Sequence, residues 1–170
     1  MTQGTTVADL FALAIAAETS AAEFYRGLVA KFAQYSDVAE FWQRYVTDEI
    51  THARWLARLQ GNVSVEQLAA RADPVMLENA RHATSVSVQA LLDQVHTLAD
   101  AYEFVNDLES SETNAVFEFL ISSFPADPDV LSFLRTQLSE HVDRLVTAFP
   151  ERFRDPGARL AATAQEQEAN

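Results

Sequence analysis

Glutamate and histidine recur in this chain at spacings that could build a metal site. The tetrapeptide "EITH" sets Glu49 and His52 three residues apart. On a helix that spacing places two side chains on one face, with Cβ atoms ~5–6 Å apart, so both can reach one ion. The stretch "QLSEHVDRL", residues 137–145, puts His141 on the inward face of a second helical pattern, with Leu138 where a companion carboxylate would usually stand. Glu18, Glu109 and Glu112 also fall where the pattern calls for apolar residues. An unpartnered buried carboxylate costs several kcal/mol or takes up a proton. No Lys or Arg shares these inward seams. The four carboxylates Glu18, Glu49, Glu109 and Glu112 carry a charge that two divalent cations would balance. Oxygen and imidazole donors suit iron, manganese or zinc.

The elements that must position these groups read as helices almost throughout, because the apolar residues recur at threes and fours. The first segment runs over roughly 6–35, with Ala14, Glu18, Ala21 and Tyr25 on its seam. The second runs over roughly 38–60 through Trp42, Tyr45, Glu49, His52 and Leu56, and "GN" at 61–62 should close it as a C-cap does. The third is expected as one long helix over 88–123, carrying Tyr102, Glu109 and Glu112. "FPADPD" breaks it, and Asp127 and Pro128 should cap a fourth helix over 128–149 with His141 and Leu145 inward. Short connections make neighbours antiparallel. Residues 61–88 have length enough to cross the bundle, using short helical pieces at "VEQLAARA" and "PVMLENARHA". The fold expected is all-α: an antiparallel four-helix bundle of two hairpins joined by a long crossover, the ferritin-like arrangement. Residues 1–149 should form this unit, and 150–170 a C-terminal extension, partly disordered.

Composition narrows the chemistry. The chain of 170 residues is long enough for one core, and its lack of cysteine excludes disulfides, iron–sulfur clusters and cysteine–zinc sites. A net charge of −13 argues against nucleic acid as a partner. No apolar run approaches the ~20 residues of a membrane span, and no leader pattern opens the chain, so a cytoplasmic setting is expected.

Three stretches, "AAETSAAEFYRGL", "DEITHARWL" and "AYEFVNDLESSE", resemble the first three bundle helices of the rubrerythrin-type branch of the ferritin-like superfamily. The resemblance extends over roughly residues 6–149. It implies a non-haem di-iron centre held by Glu18, Glu49, His52, Glu109 and His141. It also gives Glu112 the place of a further carboxylate that can exchange with the helix-2 histidine; a solvated helix position is the plainer alternative. Tyr25, Tyr45 and Tyr102 lie near this set, either bonding its carboxylates or packing in the core. His82 and His96 fit no cluster.

The chain departs from that family pattern twice. It lacks the four-cysteine rubredoxin domain of classical rubrerythrins, so a separate electron donor would be required. Leu138 also stands where the family has a metal-bridging glutamate. The resemblance implies two iron ions acting on peroxide or dioxygen, in a peroxidase or ferroxidase, and a homodimer. The alternative is a metal-binding bundle with one iron or zinc ion and no redox catalysis.

Overall fold

The computed structural model describes residues 5–109, 112–124 and 128–154; within these, the side chains of Glu112, Thr113, Asp129, Val130, Phe133, Leu138 and Val142 lie outside the described residues. Helix α1, Val7–Lys31, starts at a capping box in which Thr6 accepts from the Asp9 amide while Asp9 accepts from the Thr6 amide. After a short turn, α2 runs over Ser36–Asn62 and packs along α1. The crossover holds α3 (Val65–Ala69), α4 (Pro74–Ala83) and α5 (Val88–Gln94). Ser64, Asp73 and Ser87 cap them, with Pro74 at the first position of α4. Then come α6 (Leu98–Glu109), α7 (Glu112–Ser123), α8 (Pro128–Ala148) and a 3-10 turn at Glu151–Phe153.

Two expectations are corrected. Gly61 and Asn62 do not form a C-cap: α2 includes both, no glycine among the described residues has positive φ, and the Val63 amide bonds the Gln60 carbonyl. The long third helix is interrupted between α5 and α6. The break has a local cause. Asp100 accepts from the amides of His96 and Thr97, while the Thr97 hydroxyl accepts from the Asp100 amide. This Thr-x-x-Asp box starts a fresh helix inside an unbroken apolar pattern. Residues 110–111, between α6 and α7, lie outside the described residues; the Glu109 carbonyl accepts from the Asn114 side chain. The expected cap at Asp127 lies outside the described residues.

The core is two clusters. One holds Leu10, Phe11 and Ala14 of α1, Leu56 and Leu59 of α2, Val116, Phe117 and Leu120 of α7, and Leu134 of α8. The other holds Phe24, Tyr25 and Leu28 of α1, Trp42 and Tyr45 of α2, Leu98 and Val105 of α6, and Leu145 of α8, with Phe149. Chain order through the clusters sets direction. α1 and α8 run from the first to the second, while α2 and the α6–α7 pair run the other way. α2 therefore ends at one end of the bundle and α6 starts at the other, and the crossover spans the length between. This is the ferritin-like all-α arrangement, with no strand among the described residues beyond an isolated bridge from Thr6 to Arg71. None of the described helices is long and apolar enough to cross a membrane.

Candidate metal centre

Between the two apolar clusters each bundle helix places polar side chains. Among the described residues the buried charged or polar ones are Glu18, Glu49, His52, Glu109 and His141, each at most 5% exposed. They come from α1, α2, α6 and α8, and they meet. His52 Nδ1 lies 3.1 Å from Glu49 Oε2 and 3.5 Å from Glu18 Oε2. His141 Nδ1 lies 3.1 Å from Glu109 Oε2 and 3.5 Å from Glu49 Oε1. Glu49 is thus the centre of the group, with one oxygen turned to each imidazole. The imidazole centroids are 5.1 Å apart. Glu49, His52 and His141 each offer one donor atom within 4.8 Å of the others.

Electrostatics fit a group that exchanges protons for a cation. Burial pushes the Glu49 carboxyl up to about 7, against the pull of His52. Burial alone would lower both imidazoles. For His52 the bonds to Glu18 and Glu49 outweigh it and raise the group to about 10. For His141, Asp48 and Glu109 raise it to about 9. In the absence of a cation, protons on the two imidazoles hold the carboxylates together. A metal ion would take the place of those protons.

A ring of supporting contacts surrounds the donors. Asp48 Oδ2 lies 3.3 Å from His141 Nε2 and accepts from Arg144 Nη1 at 2.6 Å. Burial raises the Asp48 carboxyl, but its bonds to His141 and Arg144 prevail and lower it. The Tyr25 hydroxyl donates to Glu109 Oε1. Burial, then the Glu109 and Glu49 charges, hold Tyr25 far above the usual phenol range, so it acts as a donor. The Tyr45 hydroxyl donates to the His141 backbone carbonyl at 2.7 Å.

The family model for rubrerythrin matches residues 9–123. The chain belongs to the rubrerythrin family. Searches of curated proteins and of solved structures return no match. The rubrerythrin match takes in α1, α2, α6 and α7, with Glu18, Glu49, His52 and Glu109, and ends before α8. His141 therefore joins the set through tertiary packing, from a helix beyond the matched region. Iron is the metal typical of rubrerythrins.

The residues singled out in the sequence fall into four groups. Glu18, Glu49, His52, Glu109 and His141 converge, as described. Tyr25 and Tyr45 touch donors. Tyr102 packs instead on Phe149, centroids 5.3 Å apart, with the Arg154 guanidinium over its ring. The Glu112 and Leu138 side chains lie outside the described residues. Asp48 and Arg144 escaped the sequence reading. The signal was present: Asp48 adjoins Glu49 on the flank of α2 facing α8, and Arg144 follows His141 by three positions. A rubrerythrin-type metal fits the donor chemistry. Three carboxylates and two imidazoles supply at most about eight oxygen and nitrogen donors, of the kind iron, manganese and zinc accept. Asp48, 3.3 Å from His141 Nε2, stands where the outer partner of a ligating imidazole would stand.

Proposed function

We propose that the chain is a non-haem di-iron carboxylate protein that reduces peroxide, with dioxygen and ferrous-ion oxidation as related chemistry. The placement of Glu49, one oxygen toward each imidazole Nδ1, carries this reading. It is the arrangement a carboxylate shared between two ions requires. Glu18 and His52 would complete one side, Glu109 and His141 the other. Bound iron supplies redox electrons and Lewis acidity. The protein's own groups orient and exclude. Tyr25 holds one Glu109 oxygen in place, Asp48 holds His141, and the two apolar clusters keep bulk water away. Hydrogen peroxide takes two electrons and two protons and leaves as two waters. The electrons come from a separate electron-transfer protein, because the chain has no cysteine with which to build its own iron–sulfur relay.

A second reading has its own observation. Glu49, His52 and His141 are the tightest group of donors, and position 138 offers leucine rather than carboxylate. A single iron or zinc ion held by those three would make a binding protein without peroxide chemistry. Anaerobic reconstitution with ferrous iron, desalting and metal analysis decide between them. About two iron atoms per chain and rapid peroxide consumption support the first. One ion per chain, inert to peroxide, sinks it and supports the second.

A further inference from the structure

A cavity of about 40 Å³ opens beside the donors, and its lining is selective. Glu18, Glu49 and Glu109 form its floor, and neither His52 nor His141 reaches it. The open side of the centre is therefore its carboxylate side. The walls are mostly apolar: Ala17, Ala21 and Phe24 of α1 face Leu91 of α5 and Leu108 of α6, with Ser20 and Asn114 as polar members. Val86, in the connection between α4 and α5, is 48% exposed and stands at the mouth. The α5 wall is held close to α1. A Cβ on Gly27 would run into the Leu92 side chain, and Lys31 donates to the Leu92 carbonyl at 2.6 Å. Glycine at 27 is what permits that approach.

Resting on the reading of this centre as peroxide-reducing, we propose that this cavity is its oxidant port. Its small α1 residues and the α5 wall would admit only molecules of a few heavy atoms. Size is the first limit: at ~10–15 Å³ for each water-sized molecule, the cavity takes roughly three. Hydrogen peroxide and dioxygen fit; a hydroperoxide carrying an aryl or branched alkyl group does not. Charge is the second limit. The carboxylate floor repels anions. Crossover residues, not bundle residues, guard the mouth, so the crossover sets specificity as well as connectivity.

The test pairs two measurements. Metal-free crystals under xenon report the cavity without any redox chemistry, and stopped-flow oxidation of iron-loaded protein reports its use. Xenon should occupy the cavity in the natural protein and be lost in Ala21→Leu and in Leu91→Trp, which fill it from opposite walls. The natural protein should react with hydrogen peroxide at least about a hundredfold faster than with cumene hydroperoxide. Both filling variants should slow hydrogen peroxide about tenfold or more at unchanged iron content. Ala16→Leu, on the exposed face of α1, should change neither measurement. Equal rates with the two oxidants, or filling variants that fold, bind iron and react at the natural rate, overturn the port. A protein that consumes no peroxide yet shows xenon lost in both variants retains the cavity and loses the peroxide-reducing reading. Absence of xenon from the natural protein overturns the port directly.

Discussion

The two sides of the metal centre are built in different ways. Glu18, Glu49 and His52 come from α1 and α2, a hairpin of long helices joined by a short turn. Their relative position follows from local pairing. Both imidazoles bury an Nε2 without a hydrogen bond, but His141 Nε2 has Asp48 Oδ2 at 3.3 Å while His52 packs on the Phe117 ring. Glu109 and His141, 32 positions apart in the chain, come from α6 and α8 of the second hairpin. They are braced by Tyr25, Tyr45, Asp48 and Arg144. The α6–α8 side has more outer bonds to its donors, and it is also the side where leucine stands one turn before the histidine. Both donor sets come from helix hairpins, so chain connectivity does not separate them. The outer bonds that fix rotamers do.

Removing the donor common to both sides should have the largest effect. Glu49→Ala would abolish the distinction between them. Metal affinity is expected to fall by roughly 3–5 kcal/mol, more than a hundredfold, read by calorimetric titration with ferrous or zinc ion. Retention of one tightly bound ion would show that one side stands without Glu49.

Asp48→Ala removes the brace from one side only. Loss of an outer partner of a ligating histidine typically costs about 10–100-fold in metal affinity. That loss should fall on the ion beside His141 and leave the α1–α2 site intact, giving two-phase metal uptake. Uniform weakening of both ions would mean that the sides are not separable.

Leu138→Glu places a carboxylate one turn before His141 and makes the two sides alike in sequence pattern. Occupancy by a second ion should rise, with affinity improved about tenfold, or ~1.4 kcal/mol. An unchanged metal count on elemental analysis would show that leucine is not what limits the site.

The smallest effect is on pH dependence. His52 and His141 titrate at about 10 and about 9, above the usual imidazole value of 6.5. Their stabilising contribution to the metal-free fold is fully present below about pH 6.5 and lost as pH rises through 9 to 10. Glu49, raised from 4.5 to about 7, has the same sign between those values. Melting temperature of the metal-free protein should therefore decline from pH 5 to 10. Metal affinity should rise over the same range, because the ion displaces those protons. A metal-free melting curve flat in pH would contradict the proton-held centre.

Much of this was legible from residues. A glutamate on an apolar seam is a visible conflict between period and chemistry, and Glu18, Glu49 and Glu109 each showed it. The split of α5 from α6 was harder. The apolar repeat runs through Val95 and Leu98, and the Thr97–Asp100 box is a short polar signal inside it. Asp48 and Arg144 were hidden for another reason. Their period places them at the helix flank, where a charged pair reads as solvated surface until the partner helix is known.

From the amino acids alone come the helical periods, the crossover length, the buried charges that demand compensation and the family pattern in the first three bundle helices. Each is a local property of one segment, set by spacing along the chain. Which oxygen of Glu49 meets which imidazole, which tyrosine reaches a donor and where the carboxylates open to a cavity were decided only by tertiary packing. Those are distances between segments far apart in sequence, and they depend on helix rotation and approach, to which a one-dimensional pattern is blind.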